Sequence, residues 1–114
     1  MIDDPYERLR RVGHNEALFR QVNEQVEEVN DAFSKLTNAF TIVCECGDLG
    51  CIEQINVSPA MYKRTRDDST HFLVKPGHQA QDVEDVIETH DDYVIVEKSP
   101  PAAHQIAEET DARN

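Results

Sequence analysis

Cys44-Glu45-Cys46-Gly47-Asp48-Leu49-Gly50-Cys51 decides how the second half of this 114-residue chain folds. Three thiols in a C-x-C-x4-C pattern offer soft ligands, which select zinc or iron–sulfur chemistry, and a closed zinc site needs four such groups. On extended backbone, residues two apart share a face, so Cys44 and Cys46 can point at one ion. The chain must then turn after Cys46, and Gly47 and Gly50 are the residues that permit it. Residues 41–45 and 52–57 on either side are β-branched and apolar. The stretch therefore reads as two strands joined by a metal knuckle, a hairpin whose tip is the binding loop.

Three cysteines cannot all pair internally. In a reducing compartment such a cluster binds metal or does redox chemistry more often than it forms a structural disulfide. The fourth ligand must come from His14, His71, His78, His90 or His104. His78 ranks first, because it follows Pro76-Gly77 directly after a predicted strand at 72–75, in a turn that can fold back on the knuckle. His71, before the same strand, ranks second, and His90, in a proposed hairpin turn, third. With His78 the site is Cys3His: one tetrahedral, saturated and therefore structural zinc per chain. Iron is the other metal such thiolates accept. The rival reading is a thiol-based redox protein or enzyme, with Cys44 or Cys46 attacking a disulfide and Cys51 resolving it. Acidic Glu45 and Asp48 beside the thiols oppose it, since they disfavour the thiolate. Open-site zinc catalysis is weaker still, because three thiolates leave a poor Lewis acid. No HExxH, GxSxG or Gly-rich phosphate loop is present.

Upstream lies a long helical pattern from residue 14 to about 39. Phe19, Val22, Val26, Val29, Phe33, Leu36 and Phe40 recur at alternating gaps of three and four, a heptad stripe without Pro or Gly. The stripe can pack on the chain's own β module, or pair with a second helix in a homodimer or with another protein. Before it, residues 1–13 form a lead segment with Pro5 and the basic run Arg8, Arg10 and Arg11, which Gly13 closes.

Downstream, Ser58-Pro59 is an N-cap followed by Pro at the first helical position, opening a short helix to about residue 66. The cations Lys63, Arg64 and Arg66 on it read as a salt-bridged face. For residues 79–92 a short helix and a hairpin compete. The hairpin, 85–89 with 93–97, is favoured because Tyr93-Val94-Ile95-Val96 is strand material and Asp91-Asp92 suits a turn. Ser99-Pro100-Pro101 breaks the chain, and 102–109 can form a helical turn before a fraying end. The divisions are thus a lead segment 1–13, an amphipathic helix 14–40, a zinc-stabilised β module 41–98 and a tail 99–114.

Eleven Lys and Arg against 23 Asp and Glu give a net charge of -12. Duplex nucleic acid and anionic bilayers both favour clustered cations, so neither is an expected partner. No apolar run approaches the ~20 residues of a spanning helix, and the acidic start lacks a signal core. A cytoplasmic location is the expectation.

The segments Asn15–Glu24, Cys44–Ile55, Phe72–His78 with its Pro76-Gly77-His78, Val94–Lys98 and Glu109–Arg113 resemble those of a family of small bacterial proteins. The resemblance covers most of the chain and implies no particular activity. It does imply that His78 partners the cysteines, because the PGH element travels with them. The expectation is an α+β protein: a long N-terminal amphipathic helix, then a small antiparallel β module with a zinc knuckle, acting as a non-enzymatic interaction or regulatory module.

Overall fold

The computed structural model describes residues 5–31, 40–80, 83–99 and 101–111. It is α+β. In order come helix α1 (Pro5–Asp31), strands β1 (Phe40–Val43) and β2 (Gln54–Val57), and helix α2 (Pro59–Arg66). Strands β3 (His71–Val74), β4 (Glu84–Thr89) and β5 (Val94–Lys98) and helix α3 (Pro101–Glu109) follow.

Helix α1 starts well before residue 14, so the lead segment from Pro5 onward is helical and Gly13 does not interrupt it. Pro5 is the first helical residue, where its fixed φ is preorganised and its missing N–H costs nothing. Gly13 lies inside the helix because α3 crosses there. A Cβ at this position would sit 3.0 Å from Ile106 Cγ2, so any larger residue would make the Ile106 side chain give way. Residues 32–39, which carry the end of the predicted helix, lie outside the described residues.

The face that α1 turns inward also differs from the apolar stripe. Glu16, Arg20, Asn23 and Glu27 are buried, at gaps of four, three and four, while Val22 is 39% exposed. Phe19 is half-buried, and Val26 packs against the core from its edge. Phe33 and Leu36 lie outside the described residues, and Val29 and Phe40 are described by backbone alone. A polar stripe runs inward because its members meet fixed partners. Arg20 donates to the Ser69 carbonyl at 2.6 Å and the Ala107 carbonyl at 3.0 Å, tying α1 to α3. Asn23 donates to the Val43 carbonyl and accepts from the Val43 N–H, both at 2.8 Å, as a neighbouring strand would.

Strands β1 and β2 form the predicted antiparallel hairpin, Ile42 opposite Ile55. Ile42, Ile55 and Val57 face the core, while Thr41 and Asn56 face out and bond each other at 2.9 Å. Ser58 caps α2, accepting from the Met61 N–H at 3.2 Å. The second sheet has order β3-β5-β4, antiparallel throughout. Residues 84–98 therefore form the hairpin rather than the helix, with a bulge between Val86 and Glu88. The last segment is a nine-residue helix, longer than the single turn expected of it. Arg64 on α2 pairs with Glu88 as a salt-bridged face should, but Arg66 goes inward.

Two buried ion-pair sets hold these layers. Glu45 accepts from Arg66 at 2.5 Å, from Asn23 at 2.7 Å and from the Leu73 N–H at 2.9 Å. Lys98 lies between Glu84, at 2.8 Å, and Glu16. Phe72 sits among their cations, with Arg20, Lys98 and Arg66 at 4.7, 5.6 and 6.0 Å from its ring centre. Removing one partner of a buried pair strands the other charge, at about 3–5 kcal/mol. Glu45→Ala should therefore lower the urea-unfolding free energy by about that much, and Glu45→Leu with Arg66→Met by clearly less. Equal losses in the two variants would show that the pair is not what Glu45 contributes.

Burial pushes the Glu16 carboxyl well above its ordinary value of 4.5; Lys98 opposes the rise and Glu84 adds to it. The folded state thus holds a proton that the unfolded chain releases, so stability falls as pH rises from about 4.5 upward. Glu16→Gln should be more stable than the parent at about pH 8, the difference closing below about pH 4, as thermal unfolding across pH would read out.

Candidate metal centre

Cys44 follows β1 directly, its N–H donating to the Glu53 carbonyl at 3.0 Å, and Cys46 lies in the bend that leads to Gly47. Glu45 between them points into the core, fully buried, and its N–H donates to the Leu73 carbonyl at 2.9 Å. Cys44 and Cys46 are buried beside it at the edge of the core. After Cys46 the chain turns at Gly47, whose φ is +79°. Gly50 shares this task without a positive φ: it lies in the turn from Asp48 to Cys51, and its N–H is held by the Asp48 carboxylate at 2.8 Å. The Cys51 N–H donates to the Asp48 carbonyl at 3.0 Å, which closes the knuckle.

The turn after β3 supplies the fourth group. Gly77, at φ +87°, reverses the chain, and the His78 N–H donates to the Lys75 carbonyl at 2.9 Å. His78 Nδ1 then lies 3.7 Å from Cys44 Sγ and 3.6 Å from Cys51 Sγ. Ligand atoms of Cys44, Cys46, Cys51 and His78 all lie within 4.8 Å of one another. Zinc bonds of about 2.3 Å to sulfur and 2.0–2.1 Å to nitrogen, at tetrahedral angles, place S and N about 3.6 Å apart. The donor set and its spacing fit a metal ion.

Burial pushes the Cys44 and Cys46 thiols up, and the Cys51 sulfur raises both further. Backbone N–H groups work the other way, from Lys75 to Cys44 Sγ at 3.2 Å and from Asp48 to Cys46. Three thiolates this close repel one another, and a divalent ion removes that repulsion. Glu45 does not press on the thiols as its place between them in sequence suggests. Its carboxylate is engaged with Arg66 and Asn23 in the core, and burial takes its place as the cause.

The other histidines go elsewhere. His71 Nε2 meets Glu97 at 3.0 Å and Asp68 at 3.4 Å, a second set of donor atoms within 4.8 Å of one another. His90 meets Glu88 at 2.8 Å and stacks on Tyr93. His14 is exposed on α1, and His104 is described by backbone alone.

The contact that ties the knuckle to α1 is one that the sequence does not announce. Asn15 donates to the Gly47 carbonyl at 3.0 Å. A Cβ on Gly47 would sit 2.9 Å from Glu16 Cγ and 3.1 Å from the Val12 carbonyl oxygen. No local signal marks Asn15, since helix polar positions look alike before the partner is known. A cleft of about 490 Å³ opens beside the site, bordered by Arg8, Arg11, Cys46, Leu49 and His78. Ile52, next to Cys51, is 91% exposed.

Comparisons with protein-family models, with curated proteins and with solved structures return no match to this chain. No helix among the described residues is long and apolar enough to cross a membrane.

The two positive-φ glycines separate conformation from packing. An L side chain in this region costs roughly 1–2 kcal/mol. A Cβ on Gly77 would meet nothing within 4 Å, whereas one on Gly47 would be crowded by α1. Gly77→Ala should cost about that much, and Gly47→Ala more, with α1 amides losing exchange protection only in the latter.

Proposed function

We propose that this chain is a small zinc-binding, non-enzymatic module for protein interaction or regulation, in which the metal is structural. One zinc ion, held by Cys44, Cys46, Cys51 and His78, fastens the β1–β2 hairpin to the turn after β3. Zinc is preferred to iron because Cys3His is an ordinary closed zinc set, while iron sites of this kind take four thiolates. A saturated tetrahedron leaves no position for substrate or water. The observation that carries the reading is the convergence of four donors, from two segments 27 residues apart in sequence, at tetrahedral S···N spacing.

The interaction surface we assign is the helical seam from Phe19 to Phe40, with a homodimer as the simplest form. Val22, at 39% exposure, supports it, since α1 spends much of its inward face on polar residues. Mass measurement under native conditions reports the subunit count, and an exclusively monomeric species at working concentration would remove this part.

Elemental analysis of the purified chain should find one zinc per polypeptide. Complete chelation should then abolish exchange protection in β1, β2 and the turn at 75–78 while much of α1 keeps its helical circular dichroism. A β module equally protected with and without metal would overturn the reading.

A further inference from the structure

The four donors are unequally shielded. Cys44 and Cys46 are 2% and 7% exposed, whereas Cys51 is half-buried and His78 is exposed. Cys51 sits on the loop between Leu49, 67% exposed, and Ile52, 91% exposed, so a small solute meets its sulfur first. The Cys46 and Cys51 sulfurs lie within 4.8 Å of each other. A partner for an oxidised Cys51 is thus another ligand of the same ion. The loop that separates them is the one whose Gly47 carbonyl receives Asn15, and whose Gly47 Cα lies against Val12 and Glu16 of α1.

We infer from this arrangement that the knuckle is a hydroperoxide-sensitive latch, in which oxidation joins Cys51 to Cys46, withdraws both from the metal and loosens α1. The inference rests on the metal-binding reading above and adds its regulation. In the first step the Cys51 thiolate attacks the terminal peroxide oxygen. An S–O bond forms, the O–O bond breaks, and the alkoxide or hydroxide leaving group takes a proton from solvent. Cys51 is now a sulfenic acid and a poor ligand. In the second step the Cys46 sulfur attacks the Cys51 sulfur, an S–S bond forms, the S–O bond breaks and hydroxide leaves, again to be protonated. Two thiolates have lost two electrons, and one peroxide has gained them.

With two of four ligands gone, Cys44 and His78 alone hold the ion too weakly to keep it against solvent. Closing a disulfide across residues 46–51 also reshapes the turn on which α1 rests. The contact from Asn15 to Gly47 is then lost, and the turns of α1 that rest on the knuckle are loosened. A thiol reductant with added zinc reverses the sequence, because neither step passes beyond the sulfenic acid.

The test uses the metal-loaded chain and hydrogen peroxide as the probe. Released zinc is followed with a chromogenic chelator, disulfides by peptide mass mapping, and sulfenic acid by trapping with dimedone at short times. Expected are loss of one zinc per chain, loss of two of the three thiols, a Cys46–Cys51 crosslink, and dimedone predominantly on Cys51. Exchange protection of residues 12–23 should fall in step with zinc release and return with reductant and zinc. Retention of zinc under peroxide, release without the crosslink, or dimedone first on Cys44 overturns the latch while leaving a structural metal site standing. A chain purified without metal, its three thiols all freely alkylated, overturns both. Cys51→Ser that still binds zinc must keep it under peroxide, and release from that variant at the parent's rate also counts against the latch.

Discussion

Glu45 is the residue on which the arrangement of this chain turns. It is fully buried, yet it sits between two cysteines of the candidate metal-binding set. Its carboxylate is fixed by Arg66 from α2, Asn23 from α1 and the Leu73 N–H of β3, so one side chain defines where three elements meet. Cys44 and Cys46 on either side of it are buried as well, their sulfurs brought together with the donor atoms of Cys51 and His78. The ion pair and the donor set thus share one short stretch of chain. A charge buried this completely is rarely the most stable choice of residue, and its benefit is in specifying a single arrangement. Here the arrangement specified is the geometry of the donor set.

The same logic explains what is legible in the sequence. The hairpin with a cysteine tip, the Ser58-Pro59 helix start, the strand before Pro76-Gly77 and the hairpin at 84–98 are all written in local chemistry: β-branching, caps and turn residues. His78 ranks above His71 and His90 because it follows a Pro-Gly turn that can fold the chain back on the knuckle. His71, placed before the strand by the sequence, lies within it, opposite Glu97. Local signals suffice wherever the fold is locally determined.

The inward face of α1 is not legible there, for a physical reason. Periodicity assigns the apolar stripe to the core on the premise that burial of polar groups is unfavourable. Glu16, Arg20 and Asn23 escape that premise because each finds its partners from elements far away in sequence: Lys98, Ser69, Ala107 and Val43. No window of the sequence contains both halves of such a pair. Gly13 misleads in the same way, since its role is set by Ile106 on α3 rather than by its neighbours. Pro5, by contrast, carries a usable signal, because proline suits a first helical turn as well as a loop.

These long-range pairs also account for how a chain of this composition forms a core at all. With 39% hydrophobic residues and a net charge of -12, apolar burial alone gives a small domain little margin. Phe72, buried at the centre, is surrounded by cations, and each of those cations reaches a different element. A polar interior of this kind is all-or-none: each buried charge is tolerable only while its partners stay in place. The outer edge of that network is the contact from Asn15 to Gly47, where α1 meets the knuckle. A metal ion closing the knuckle would therefore stiffen more than its own loop. It would hold the turn against which Glu16 is packed, and through Glu16 the buried Lys98 and Glu84 of the second sheet.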